Sequence, residues 1–165
     1  MSGNKIRFMV INAALAAIYV VITMMFSSFS FGAIQVRIAT ALYQLVAFNK
    51  KYYWGMVLGV VVANLLMSPF GLIDIPVGLG VTGLGLAIAI FINRKIKNIN
   101  IRLLVVGMCV SLGMIFVALE LFYISKAPLL ITYVYLICGQ LVAQVIGAVI
   151  FKIINKAINL REIMN

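Results

Sequence analysis

Only three acidic side chains occur in the 165 residues, and there is no histidine. Without imidazole the chain lacks the commonest general base and the commonest biological metal ligand. Any chemistry must therefore rest on carboxylates, amides, hydroxyls and arginine. Two of the acids are embedded in apolar sequence: Asp74 in NLLMSPFGLIDIPVGLG and Glu120 in VALELFYIS. Glu162 falls in the C-terminal tail and reads as a solvated charge. Carboxylates at membrane depth are costly and usually face a cavity or a partner. They accept hydrogen bonds from N–H groups and attract cations, so Asp74 and Glu120 read as recognition groups in an outward pocket. No GxxxxGK[ST], HExxH or GxSxG motif accompanies them, so no nucleotide-cleaving or familiar hydrolytic site is encoded. Cys109 and Cys138 stand apart, without CxxC or zinc spacing, and read as small buried residues. We expect no catalytic residue, no metal and no cofactor.

Each candidate also has a plainer reading. Asp74 precedes Pro76 at a helix start, where it could cap exposed N–H groups or pair with Arg37. Glu120 could reach Lys126. Asn64, Gln140 and Gln144 are amides in apolar runs; the two glutamines, four apart, share a helix face. Such amides bond neighbouring helices or line a cavity. Tyr123 is a further candidate for the pocket, whereas Trp54 reads as an interface anchor.

The elements that must position these groups are membrane helices. The chain is 65% hydrophobic and 10% charged, against about half and a quarter in soluble domains. The ten-residue alternation of a membrane barrel is missing. We read an all-α integral membrane protein, one membrane domain over 1–165, with six transmembrane helices near 8–28, 34–49, 52–68, 75–93, 102–124 and 128–154. The first run is longer than the 7–15 apolar residues of a signal core and reads as a membrane helix. The second is weak: 38–48 reaches spanning length only by taking in Arg37, so a tilted, broken or short helix is expected. The Ser- and Gly-containing stretch 27–33 reads as part of an outward lid.

The net charge of +10 could suggest nucleic acid, but no basic stripe or aromatic platform supports that partner. The cations instead cluster at span ends. Eleven of the 13 Lys and Arg residues fall at one set of ends, and only Arg37 and Lys126 at the other. By the positive-inside rule both termini are cytoplasmic, in a multi-pass protein of the plasma membrane. Arg37, Asp74 and Glu120 then lie toward the outer face. Small residues recur at helix-contact spacing in Ala13/Ala17, Gly55/Gly59 and Gly139/Ala143/Gly147. Most should pack internally, but a small-residue face on an exposed first helix could dock a partner.

The run IQVRIATAL (34–42) followed by WGMVLGVVVANLLMSPFGLIDIPVG (54–78) resembles the QueT family of queuosine-precursor transporters, over about residues 8–155. These are S components of energy-coupling factor (ECF) transporters. The resemblance implies a six-helix S-component bundle that binds a 7-deazaguanine such as prequeuosine-1 (7-aminomethyl-7-deazaguanine) near the outer face. It implies that Ala13 and Ala17 form the AxxxA element contacting a membrane coupling protein joined to two ATPase subunits. On that reading Glu120 takes the guanine edge and Asp74 the ammonium group, or the reverse, with Asn64, Gln140, Tyr123 and Arg37 assisting. The pattern departs at Thr40, where a glutamate is expected in many members; its loss would leave Arg37 freer to reach Asp74. Competing readings are an S component for another vitamin or heterocycle, a small membrane enzyme, and a channel or structural protein that self-assembles through Gly55/Gly59.

Overall fold

The computed structural model describes residues 2–26 and 37–164; the stretch read as a lid, 27–33, and the start of the second span lie outside them. Among the described residues all regular structure is helical. Six helices follow in order: α1 (Ser2–Met25), α2 (Ile38–Phe48), α3 (Tyr53–Met67), α4 (Gly71–Asn93), α5 (Ile99–Ser125) and α6 (Leu129–Ala157). Four of them, α1, α4, α5 and α6, are long and apolar enough to cross a membrane. The 15 residues of α3 reach about 22 Å at the α-helical rise, short of a core of about 30 Å. The shortness foreseen for the second span is observed. It opens with a 3-10 stretch, Ile38–Gln44, and closes with a single α turn, Leu45–Phe48.

The bundle has an apolar core that also encloses polar side chains, and an apolar outer surface suited to lipid. Large apolar side chains such as Met25, Leu72 and Leu130 are exposed, while Asn12, Gln44, Asn64, Asp74, Glu120, Gln140 and Gln144 are buried. Helix α1 packs against α3, α2 against α6, and α4 and α6 against α5. The Gly55/Gly59 pair is used internally. A Cβ on Gly55 would lie 2.8 Å from Asn12 Oδ1, and one on Gly59 2.9 Å from Tyr19 Cβ. Absent side chains there let α3 approach α1 closely enough for Gly55 N–H to donate to Asn12 Oδ1 at 2.7 Å. On α1 the buried face is Asn12, Ala16 and Tyr19, which leaves Ala13 and Ala17 exposed on the opposite side.

Cys138 departs from the expectation of burial. The stripe of α6 that faces inward runs through Leu136, Gln140, Ala143, Gln144 and Gly147, and Cys138 points the other way and is exposed. The C-terminal tail is likewise more than a solvated segment. Leu160 and Met164 are buried. Carbonyls of Leu160 and Arg161 accept from Tyr52 Oη at 2.9 Å and Asn49 Nδ2 at 3.0 Å, and that of Met164 accepts from Lys51 Nζ. Glu162 itself is exposed and accepts from Asn159 Nδ2 at 2.7 Å.

Candidate functional site

All six helices bring polar side chains to one small region. Just ahead of α2, Arg37 Nη1 donates to Asn64 Oδ1 on α3 at 3.0 Å. Asn64 Nδ2 donates in turn to the Asp74 carbonyl on α4 at 2.7 Å. That chain ties the start of α2, the end of α3 and the start of α4 into one unit. Asp74 is buried and its Oδ2 accepts from Ser68 Oγ. It lies in the first turn of an α-helical segment, Asp74–Leu79, and its side chain serves the Ser68 hydroxyl, not a backbone N–H as a cap would.

The α2 face repeats polar groups at helical spacing. Thr40 Oγ1 lies 2.7 Å from the Arg37 carbonyl and 3.2 Å from Gln140 Oε1 on α6. Tyr43 Oη is 2.7 Å from Thr82 Oγ1 on α4 and 3.1 Å from Tyr19 Oη on α1. The rings of Tyr19 and Tyr43 stack with centroids 5.9 Å apart. One turn further along, Gln44 Nε2 donates to Gln144 Oε1 at 2.8 Å, and Gln144 Nε2 donates to the Thr40 carbonyl at 2.9 Å. Gln144 therefore joins helices, as the plainer reading of the amides had it. It also borders an open pocket between α5 and α6; Gln140 joins helices as well and lines a small cavity.

That cavity is bounded by Arg37, Thr40, Tyr43, Asp74, Thr82 and Gln140, with Val77, Gly78, Val81, Met114 and Val117 as its apolar walls. It holds about 10 Å³, room for about one water molecule. A π turn at Gly80–Leu84 shifts the register of α4, and Val81 and Thr82 of that turn face the cavity together with Asp74, Val77 and Gly78. Such turns recur at functional sites.

Glu120, on α5, completes the cluster. It is 6% exposed and lies within electrostatic reach of Asp74 and Arg37. Among the described residues neither Glu120 oxygen has a hydrogen-bond partner of acceptable geometry. Gln140 Nε2 likewise has no acceptor there. Buried polar atoms are nearly always satisfied by protein, water or ligand. The arrangement thus offers two acceptor oxygens and one amide donor, beside a second carboxylate and a guanidinium.

On its other side Glu120 lines an open groove of about 420 Å³ between α4 and α5, walled by Ile73, Pro76, Val77, Phe116, Leu119, Tyr123 and Ile124. Tyr123 belongs to this groove and not to the cavity; it is 69% exposed and sits edge-on to Phe122. The structure brings Arg37, Asn64, Asp74, Glu120 and Gln140 together and leaves Tyr123 outside. Tyr43, Thr82 and Ser68 were missed by reading the sequence. Thr40, Tyr43 and Gln44 share one side of a short apolar run, which was the available signal for Tyr43. Among the described residues no group of three potential ligands could hold a metal ion.

The QueT transporter family model matches residues 9–156. The chain belongs to the QueT transporter family. It is also 30% identical over 169 aligned positions to the queuosine precursor transporter QueT of Lactococcus lactis subsp. cremoris (strain MG1363), an alignment covering 97% of this chain and 99% of that one. No solved structure matches the chain. Membership of the QueT transporter family, with four helices of spanning length, makes the chain a multi-pass membrane transporter, not an enzyme. The self-assembling structural protein is set aside, since Gly55 and Gly59 are spent on the contact with α1.

Proposed function

We propose that the chain is the substrate-binding S component of an ECF-type transporter that imports a queuosine precursor, a 7-deazaguanine such as prequeuosine-1. The observation that carries this reading is the buried cluster around Glu120, whose two oxygens lack donors while Gln140 Nε2 lacks an acceptor. A guanine-like edge presents adjacent N–H donors and a carbonyl acceptor, the complement of those groups. Glu120 takes the N–H edge through both oxygens, because Asp74 already spends Oδ2 on Ser68. Gln140 Nε2 meets the ring carbonyl. Asp74 receives the aminomethyl ammonium, a charge-assisted contact stronger than a neutral one. Arg37 and Asn64 hold Asp74 and the start of α4 in place. The name of the Lactococcus relative supports the substrate class.

A cavity with room for about one water does not admit a bicyclic ligand, since ligand pockets commonly hold about 300–1,000 Å³. Binding therefore parts the walls. The adjoining groove shares Val77 with the cavity and has Glu120 in its wall, so separation of α4 from α5 there would join the two spaces. The exposed Ala13 and Ala17 present a flat small-residue face on α1, suited to a coupling protein that carries two ATPase subunits. The membrane is the plasma membrane, with both termini cytoplasmic by the bias of Lys and Arg.

Calorimetric titration of the detergent-purified chain with prequeuosine-1, guanine and riboflavin tests the substrate. Tight binding of the deazaguanine alone is expected. No binding by folded protein, or equal binding of riboflavin, overturns the assignment. Copurification tests the partners: a coupling protein and two ATPases should come down with the wild type and be lost from Ala13→Leu and Ala17→Leu. Recovery of the same partners by both variants would remove α1 from the docking face.

A further inference from the structure

The opposite end of the bundle holds a second polar pocket that substrate binding does not use. Asp74 and Asn93 lie at opposite ends of α4, so the two sites are separated by roughly 28 Å of helix. The pocket has a volume of about 300 Å³ where the end of α2, the end of α4 and the start of α5 meet. Lys50, Arg94 and Arg102 line it, and Phe48 and Ile90 contribute apolar walls. Arg161 of the C-terminal tail adds its charge beside Arg102.

Among the described residues no carboxylate pairs with Lys50, Arg94 or Arg102. Asp74 and Glu120 lie in the cluster at the far end, and Glu162 is engaged by Asn159. Two further atoms are left over in the same place. Arg102 Nε is buried without an acceptor, and Asn93, 4% exposed, gives its Nδ2 to the Arg102 carbonyl at 3.1 Å while its Oδ1 has no donor. Converging like charges with an unused guanidinium donor favour an anion.

We propose that this pocket binds the phosphate of an anionic phospholipid, with Arg102, Arg94 and Lys50 around the phosphate and the Phe48 and Ile90 walls along the lipid's glycerol and upper acyl region. Free phosphate offers the same charge and acceptor oxygens. The apolar walls and the position at the helix ends, where headgroups lie, favour the lipid. Basic pockets between membrane helices recognise such headgroups, and each cation near an anionic surface changes binding about fivefold. Arg102 supplies the planar, multidentate donor set suited to phosphate.

The test uses the full chain in nonionic detergent, titrated with phosphatidylglycerol, phosphatidylcholine or inorganic phosphate. Retained lipid is read by native mass spectrometry and the unfolding midpoint by thermal shift. Phosphatidylglycerol should be retained and raise the midpoint, phosphatidylcholine should do neither, and Lys50→Gln and Arg94→Gln should each weaken phosphatidylglycerol retention about fivefold. Both substituted side chains are exposed, so these variants fold independently of the outcome for Arg102→Gln. Inorganic phosphate that displaces the lipid would assign the contact to the phosphate group. Phosphate binding without phosphatidylglycerol binding would keep the anion site and overturn the lipid as its occupant. Equal retention of the two lipids, or of phosphatidylglycerol by wild type and both variants, overturns the proposal.

Discussion

The two ends of this bundle carry opposite charge, although among the described residues each leaves both a donor and an acceptor without a partner: Gln140 Nε2 and the Glu120 oxygens at one, Arg102 Nε and Asn93 Oδ1 at the other. At the α2 start, around Asp74 and Glu120, the excess is of acceptors: two carboxylates face one guanidinium, and neither Glu120 oxygen receives a donor among the described residues. At the far end the excess is of donors: Lys50, Arg94 and Arg102 surround a pocket, and Arg102 Nε has no acceptor. The burial also differs. Glu120 and Asp74 are buried within the helices, whereas Lys50 and Arg94 are exposed at the helix ends. An uncompensated carboxylate in the first setting calls for a ligand that brings donors and positive charge. A set of cations in the second calls for an anion that arrives from the membrane surface. The same accounting of donors and acceptors thus assigns different ligands to the two ends.

Removing the acceptors should have the largest effect. Glu120→Ala and Asp74→Ala should each weaken prequeuosine-1 binding about ten- to hundredfold by calorimetry, the range for a hydrogen bond to a charged group. A well-folded variant with unchanged affinity would remove that residue from the site. Next comes the scaffold that aligns the cluster. Gly59→Ala pushes a methyl to 2.9 Å from Tyr19 Cβ, and Tyr19 stacks on Tyr43 behind the cavity. Overpacking of this kind costs about 1–3 kcal/mol, so the unfolding midpoint should fall, with a smaller loss of ligand affinity. An unchanged midpoint would mean that α1 and α3 separate freely. The smallest effects should define the edges of the two regions. Tyr123→Ala should weaken prequeuosine-1 binding less than either carboxylate variant does, because its exposed ring in the outer groove brings no charge. Lys50→Gln should alter that affinity less than about twofold, since distant sites act independently. A large loss from Lys50→Gln would couple the two ends and break the distinction between them.

Much of the cluster was legible in the sequence because a carboxylate or amide inside an apolar run is conspicuous. Asp74, Glu120, Asn64 and Gln140 each stood out on that ground, and the structure gathers them from four helices. Tyr43, Thr82 and Ser68 were not legible. Hydroxyls are tolerated throughout membrane helices, and the π turn that brings Thr82 to the cavity breaks the regular period by which a helix face is read. Tyr123, a further candidate from the sequence, borders the outer groove together with Glu120, and of the two Glu120 also reaches Asp74. The six helices were visible as apolar runs, but the 3-10 opening of α2 and the burial of Leu160 and Met164 of the tail depend on tertiary contacts.

The central claim is that the two carboxylates divide one ligand between them, Glu120 reading the guanine edge and Asp74 the ammonium group. The most direct measurement is calorimetric binding of prequeuosine-1 and of its 7-methyl analogue, which lacks the ammonium, to the wild type and to Asp74→Asn. Asp74→Asn should lose affinity for prequeuosine-1 and leave the analogue's affinity nearly unchanged. Equal losses for the two ligands, or no loss for either, would contradict that claim.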